Sequence, residues 1–82
     1  MKTTDMLRDI MRRKEIKPSE LAYILGIKNN TLSERMTQKN MSILKLGEML
    51  RAMGYKITVV PRNARIPEDG YEVGFEDEEP RA

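Results

Sequence analysis

The hydrophobic and polar residues of this chain follow two different periods. Up to residue 54, apolar residues recur at intervals of three and four, which is the spacing of one face of an α-helix. This period predicts helices over residues 4–14, 18–25, 29–37 and 43–53. Pro18 suits the first turn of the second helix, because the N–H that proline lacks has no partner there. Gly26 and Gly54 predict helix ends, since a helix often finishes in a residue with positive φ.

Small hydroxyl residues mark the starts of the first and fourth helices. Thr3 or Thr4 is expected to cap the first helix, and Ser42 is expected to cap the fourth. Such a cap accepts a hydrogen bond from one of the N–H groups that have no partner within the helix. Together the four helices predict a mainly α-helical domain over residues 1–54.

Beyond residue 54 the apolar period changes to two, which predicts a β-strand over residues 55–60. The alternating apolar residues of this strand are Tyr55, Ile57 and Val59. A single strand leaves its backbone N–H and C=O groups unpaired, so it needs a partner. Candidate partners are residues 71–76 of the same chain, which follow a turn at 67–70, and the same strand of a second molecule. Both pairings can hold at once in a dimer. We therefore expect a short C-terminal strand or hairpin over residues 55–75 and a disordered acidic tail over residues 76–82.

The composition excludes several kinds of functional site. The 82 residues include neither cysteine nor histidine. Disulfides and thiolate metal sites are therefore ruled out, and the commonest general base and neutral metal ligand are absent. We expect neither an enzyme nor a bound cofactor or metal. Because no apolar run approaches the roughly 20 residues of a membrane helix and the N-terminus lacks the apolar core of a signal peptide, a cytoplasmic protein without membrane contact is expected.

Charge is distributed unevenly along the chain. Residues 1–65 carry 14 Lys and Arg against 6 Asp and Glu, whereas residues 66–82 carry one Arg against seven Asp and Glu. A basic body attracts polyanions such as nucleic acid, and an acidic end repels them. The alternative for both regions is an ordinary solvated surface. The positive charge favours nucleic acid only in combination with the polar start of the third helix, residues 28–31.

That end is the start of the third helix, Lys28-Asn29-Asn30-Thr31. Four side chains are predicted to contact base edges, namely Asn29, Asn30, Ser33 and Glu34. Asparagine offers adenine both a donor and an acceptor, and glutamate can accept from a cytosine amino group. Five are predicted to contact phosphates, namely Ser19, Lys28, Thr31, Arg35 and Lys39. The alternatives are that the asparagines only cap the helix, and that Glu34 is simply exposed or pairs with Gln38 or Lys39.

The same stretch resembles a known family. Glu20-Leu21-Ala22, followed by Leu25-Gly26-Ile27-Lys28-Asn29-Asn30-Thr31-Leu32-Ser33, is similar to the helix-turn-helix of Cro/C1-type (Xre-like) regulators. The resemblance covers about residues 4–54. Met53-Gly54-Tyr55 also resembles the step into a strand that follows this domain in small phage and prophage regulators. The resemblance implies a four-helix Cro/C1-type domain that binds double-stranded DNA and regulates transcription, as a repressor of the phage or prophage kind.

A single element of this kind contacts only a few base pairs, which favours a homodimer on a palindromic operator with half-sites roughly 34 Å apart. Tyr55, Ile57 and Val59 are predicted to form the dimer contact by strand pairing, and Leu44 on the fourth helix is the alternative. A rival interpretation is a protein-interaction module or antitoxin, whose acidic C-terminus binds a basic protein partner or mimics DNA. The position of the acidic residues distinguishes the two, because DNA binding requires that they leave residues 29–34 uncovered.

Overall fold

The computed structural model describes residues 2–38 and 40–73. This part of the chain contains four helices, α1 (Thr3–Lys14), α2 (Pro18–Leu25), α3 (Asn29–Thr37) and α4 (Ile43–Ala52). The prediction of a mainly helical protein with four helices is confirmed, and each observed boundary lies within one residue of the prediction. None of the helices in the described ranges is both long and apolar enough to cross a membrane.

The ends of α2 follow the local chemistry that the sequence indicated. Pro18 occupies the first position, and the Lys17 N–H donates to Glu20 Oε1 over 2.8 Å. Gly26 ends the helix with φ of 70°, and its N–H bonds the Tyr23 carbonyl over 3.1 Å. A residue with a Cβ pays a steric cost in this left-handed conformation, whereas glycine does not. The turn that leads from α2 into α3 is therefore encoded locally.

The predicted caps have different outcomes. Ser42 caps α4 as expected, because its hydroxyl accepts from the Lys45 N–H over 3.2 Å. The threonine cap of α1 is wrong, since the helix begins after Lys2 without a side-chain cap. Thr4 lies inside the first turn, and its hydroxyl donates instead to the Met36 carbonyl at the end of α3, over 2.6 Å. A partly buried carbonyl without a helical partner is a favourable acceptor for this hydroxyl.

One apolar core holds the helices together. Helix α2 packs against α3 and α4, and α1 packs against α3. The buried residues are Met6, Leu7, Ile10, Met11, Leu21, Ala22, Leu32, Met36, Met49, Leu50 and Met53. Leu32 and Met36, on one side of α3, are the residues of this helix that enter the core. The packing of these two side chains therefore fixes which side of α3 faces the core.

The C-terminal strand is not confirmed, since no strand forms in the described ranges. Within those ranges, residues 56–60 make no backbone–backbone hydrogen bond. The physical reason is that residues 55–60 have no neighbouring strand among the described residues, and an unpaired segment cannot form a ladder. Of the predicted partner at 71–76, only residues 71–73 are described, and they form no strand either. The tail predicted for residues 76–82 lies outside the described residues.

The turn predicted at residues 67–70 is present, because the Gly70 N–H bonds the Pro67 carbonyl over 2.9 Å. A second turn is closed by the Ala64 N–H and the Pro61 carbonyl, over 3.0 Å. Tyr55 is half-buried against the core, and its N–H bonds the Leu50 carbonyl over 2.8 Å. Residues 55–71 thus form an irregular loop that follows α4, and Tyr71 at its end packs against the core again.

Candidate nucleic-acid interface

A turn of three residues, Gly26, Ile27 and Lys28, connects α2 to α3. The Ile27 N–H bonds the Ala22 carbonyl over 3.0 Å, and the half-buried Ile27 side chain packs against the core. The Lys28 carbonyl then accepts from the Leu32 N–H over 3.0 Å, which begins the next helix. The short turn leaves little freedom between the two helices, so α3 is presented at a fixed angle.

The four predicted base-contacting residues lie on the exposed part of α3. Leu32 and Met36, one turn apart, are 2% and 7% exposed and form the buried side. The exposed residues are Asn29, Asn30, Ser33 and Glu34, which we call the reading face. No described residue covers the reading face. Its exposure meets the geometric requirement for groove binding, and contact with bases stays a prediction.

The two asparagines do not cap the helix in this structure. Lys28 occupies the cap position, and no side chain caps the first turn of α3. Among the described residues, the side chains of Asn29 and Asn30 make no hydrogen bond. Their amides therefore keep both donor and acceptor for an external partner. The backbone N–H groups of the first turn also lack helical partners and carry the positive end of the helix dipole.

The predicted phosphate contacts flank the reading face. Ser19 and Lys28 are exposed, in the first turn of α2 and at the start of α3. Thr31 and Arg35 are half-buried and one turn apart on α3. At about 100° per residue, they lie on one flank of α3. Lys39, the fifth predicted contact, lies outside the described residues. Cations and hydroxyls beside a set of amides suit DNA binding, in which phosphate contacts position the protein and base contacts read the sequence.

A groove of about 430 Å³ borders the reading face on its other flank. It lies between α1, the start of α2 and α3, and is lined by Arg8, Met11, Ile16, Pro18, Leu32, Ser33, Met36 and Thr37. Arg8 is exposed and brings a positive charge to the groove that Ser33 of the reading face also lines. Sequence analysis did not assign Arg8 to the interface. Its spacing of four from Thr4, which contacts α3, is the signal that places both residues on one side of α1.

Comparisons with protein-family models, with curated proteins and with solved structures each find no match. Over residues 2–38 and 40–73, no three Asp or Glu side chains are grouped so that they could hold a metal ion. A functional assignment therefore depends on the arrangement of this protein's own side chains.

A second cluster of charged and aromatic side chains lies on α1. Tyr71 donates its hydroxyl to Asp9 Oδ2 over 2.5 Å, and the Arg13 guanidinium carbon lies 5.2 Å from the Tyr71 ring centroid. The Tyr55 ring is 6.2 Å from that of Tyr71, and Lys14 Nζ lies 5.7 Å from the Tyr55 ring. We call the contacts of Tyr71 with Asp9 and Arg13 the tyrosine anchor. The sequence contains no signal for it, because 62 residues separate its hydrogen-bonded partners.

The tyrosine anchor changes the pKa values of both hydrogen-bonded groups. The hydrogen bond from Tyr71, together with the charges of Arg12 and Arg13, holds the pKa of Asp9 below its usual value of 3.8. Burial raises the pKa of Tyr71 to about 12, and the hydrogen bond to Asp9 adds to the shift. The neutral phenol and the ionised carboxylate are therefore the stable pair at neutral pH.

Proposed function

We propose that this protein is a sequence-specific regulator of transcription that inserts α3 into the major groove of double-stranded DNA. The observation that carries the proposal is the reading face: four polar side chains, all exposed, on a helix whose opposite side is buried. Folding uses only the buried side of α3, so the polar side chains of the reading face remain available to an external partner. The resemblance to Cro/C1-type helix-turn-helix regulators supports the same function and implies a repressor of the phage or prophage kind.

The dimensions of α3 suit the groove. A helix of nine residues is about 13 Å long and 10–12 Å in diameter, and the major groove of B-DNA is about 12 Å wide. In this pose Asn29 and Asn30 approach base edges from the N-terminal end, while Ser33 and Glu34 lie one turn further along. Lys28 and Arg35 neutralise phosphates on either side. The base contacts set specificity, and the phosphate contacts set register and the dependence on salt.

A dimer is the second part of the proposal, because one helix of this length reads too few base pairs. Val59 is 93% exposed and Ile57 is 40% exposed. A Cβ placed on Gly47 of α4 would lie 4.0 Å from Ile57 Cδ1, so Ile57 lies beside α4. Leu44, three residues before Gly47 on the same helix, is exposed. We therefore propose that Ile57, Val59 and Leu44 contribute to one apolar dimer surface. Tyr55, the third predicted contact, is half-buried against its own core.

A two-fold axis through Thr58 gives a self-complementary pairing of two such segments. In that antiparallel register Ile57 lies opposite the partner's Val59, and the two Thr58 residues face each other. Lys56 then lies opposite Val60 of the second copy rather than its own equivalent, so the like charges are kept apart. Apolar and threonine pairs of this kind each stabilise a sheet by about 0.2–1 kcal/mol. The pairing also satisfies backbone groups of residues 56–60 that have no backbone partner within residues 2–38 and 40–73.

The decisive experiment is selection of bound duplexes from random DNA, followed by affinity measurements on the selected site. We expect a palindrome. Asn30→Ala should lose about 1–3 kcal/mol on that site and little on random DNA. Lys28→Ala should weaken binding to all sequences alike and reduce the salt slope by about one. Asn63→Ala, which removes an exposed amide remote from α3 in sequence, is the matched control. Selection without enrichment, or an Asn30 variant that binds like the control, would contradict the proposal.

Dimer formation has its own test. Val59→Lys should shift sedimentation toward the monomer, because it places a charge in the apolar pairing with Ile57 of the second copy. Tyr23→Lys is the matched control, since Tyr23 is 86% exposed on α2 and lies outside this surface. Equal sedimentation of the two variants as dimers would exclude pairing through residues 56–60.

A further inference from the structure

The two flanks of α3 differ in the charge that they offer to DNA. Thr31 and Arg35 lie on one flank, and Ser33 and Thr37 line the groove on the other. At about 100° per residue, the two pairs are centred about 160° apart around the helix axis. A helix in the major groove has one sugar-phosphate backbone on each flank. Because Ser33 and Thr37 carry no charge, a cation for the second strand has to come from a neighbouring element.

Arg8 of α1 supplies a cation on that second flank. It is the charged residue among those that line the groove, and its side chain is exposed. Arg12 and Arg13, further along α1, both pair with Asp9, whereas no ion pair within residues 2–38 and 40–73 involves Arg8. The Arg8 guanidinium is therefore the charge on α1 that is placed to bind an anion in the groove.

The spacing of the helices brings Arg8 within reach of the second strand. Helix α1 packs against α3, and the axes of packed helices are about 8–10 Å apart. When α3 is centred in a major groove about 12 Å wide, each flanking backbone passes about 6 Å from its axis. One backbone therefore runs over the space between α1 and α3. That space is the groove of about 430 Å³ that Arg8 lines.

Two contacts fix the position of Arg8 relative to the reading face. Thr4, one turn before Arg8, donates its hydroxyl to the Met36 carbonyl of α3 over 2.6 Å. Met11, three residues after Arg8, is buried in the core and also lines the groove. Arg8 lies between these two points of attachment. A cation held in this way can set the register of α3 on the duplex, which is the role of phosphate contacts in DNA binding.

The lining of the groove matches a sugar-phosphate backbone in both charge and polarity. None of the described residues that line it is acidic. Met11, Ile16 and Pro18 present apolar atoms to the carbons of deoxyribose, while Arg8 presents its charge to a phosphate. Ser19, which is exposed and predicted to contact a phosphate, directly follows Pro18. One strand can therefore contact both Arg8 and the start of α2.

We propose that Arg8 and the groove between α1 and α3 form a binding site for the sugar-phosphate backbone of one DNA strand, opposite the strand that Arg35 contacts. The inference rests on the proposed function and deepens it, because the protein then holds both strands that border the major groove. Arg8 is a positioning residue in this site. It contacts a phosphate and leaves the reading of bases to α3.

The test measures the affinity of three full-length proteins, the wild type, Arg8→Gln and Arg12→Gln, for the selected duplex at several salt concentrations. Arg8→Gln should bind about tenfold more weakly at low salt, because a hydrogen bond to a charged phosphate is lost. Its salt slope should fall by about 0.9, so the loss should shrink about 3.5-fold between about 50 and 200 mM salt. Arg12→Gln is the matched control, because it removes the same charge from the same helix outside the groove. It should keep the wild-type salt slope.

A second measurement shows whether Arg8 contacts a phosphate or acts through the fold. Single phosphates of the duplex are replaced, one position at a time, by uncharged methylphosphonates. At the position that Arg8 contacts, the replacement should weaken the wild type and Arg12→Gln about tenfold and leave Arg8→Gln unchanged. This position should lie on the strand opposite the one that Arg35 contacts. A residue that acts only through the fold would give losses that add at every position.

Two results would overturn this inference while the proposed function stands. One is an equal affinity and salt slope for Arg8→Gln and Arg12→Gln, which would mean that the groove is left to an occupant other than DNA. The other is a loss in Arg8→Gln that adds to the effect of every methylphosphonate. A wild type that binds no duplex would instead overturn the proposed function, and this inference with it.

Discussion

Replacing Thr4 with valine removes the hydrogen bond that joins α1 to α3 while it keeps the shape of the side chain. The Thr4 hydroxyl donates to the Met36 carbonyl over 2.6 Å, across 32 residues of sequence. Met36 lies in the last turn of α3, where carbonyl groups have no partner within the helix. Threonine and valine have similar helix propensities, so the change in unfolding free energy reports mainly on this bond.

The structure sets the expected size of the effect. A typical intramolecular hydrogen bond contributes about 0.5–1.5 kcal/mol, and a buried acceptor left without a partner costs about 1–3 kcal/mol. Because the bond is only partly buried, water can reach the Met36 carbonyl and reduce the second cost. We therefore expect a loss of about 1–2 kcal/mol. In a domain of this size that lowers the melting temperature by about 5–15 °C.

The assay is urea unfolding followed by circular dichroism, with calorimetry to confirm the melting temperature. Thr37→Val is the matched control, because the Thr37 hydroxyl bonds the Glu34 carbonyl over 3.0 Å within one exposed turn of α3. Exposed changes of that kind are usually within about 0.5 kcal/mol of neutral. If Thr4→Val and Thr37→Val were equally stable, the bond between α1 and α3 would not hold the helices together, and the reasoning would be wrong.

Two further predictions concern the backbone and the tyrosine anchor. Gly26→Ala should destabilise the protein by about 1–2 kcal/mol in thermal unfolding, because φ is 70° and a residue with a Cβ is strained in that conformation. No atom lies within 4 Å of the added Cβ, so the cost comes from the backbone alone. A neutral result would contradict the left-handed turn. Because the pKa of Tyr71 is raised from 10.0 to about 12, its contribution to stability should be complete below pH 10 and lost between pH 10 and 12. Tyr71→Phe should abolish this loss, Tyr23→Phe should retain it, and equal pH profiles for the two variants would refute the assignment.

The local structure of this protein could be predicted from its sequence because the interactions that determine it lie within about four residues. Pro18 and Gly26 begin and end α2, Ser42 caps α4, and the three- and four-residue apolar period gives all four helices. The same period predicts that Asn30 and Glu34 are exposed while Leu32 is buried, as the structure shows. Each of these features depends on one residue and its immediate neighbours in the chain.

The arrangement of distant residues was decided only in the folded protein. The sequence predicts Thr3 or Thr4 as the cap of α1, yet the Thr4 hydroxyl bonds the Met36 carbonyl, because packing of α1 on α3 brings that carbonyl within reach. Tyr71 was expected in a strand, yet it bonds Asp9 across 62 residues. An alternating pattern describes a segment that is able to pair, but pairing needs a second strand, which the described part of a single chain does not supply. Local periodicity therefore determined the helices, and tertiary packing decided which surfaces they bring together.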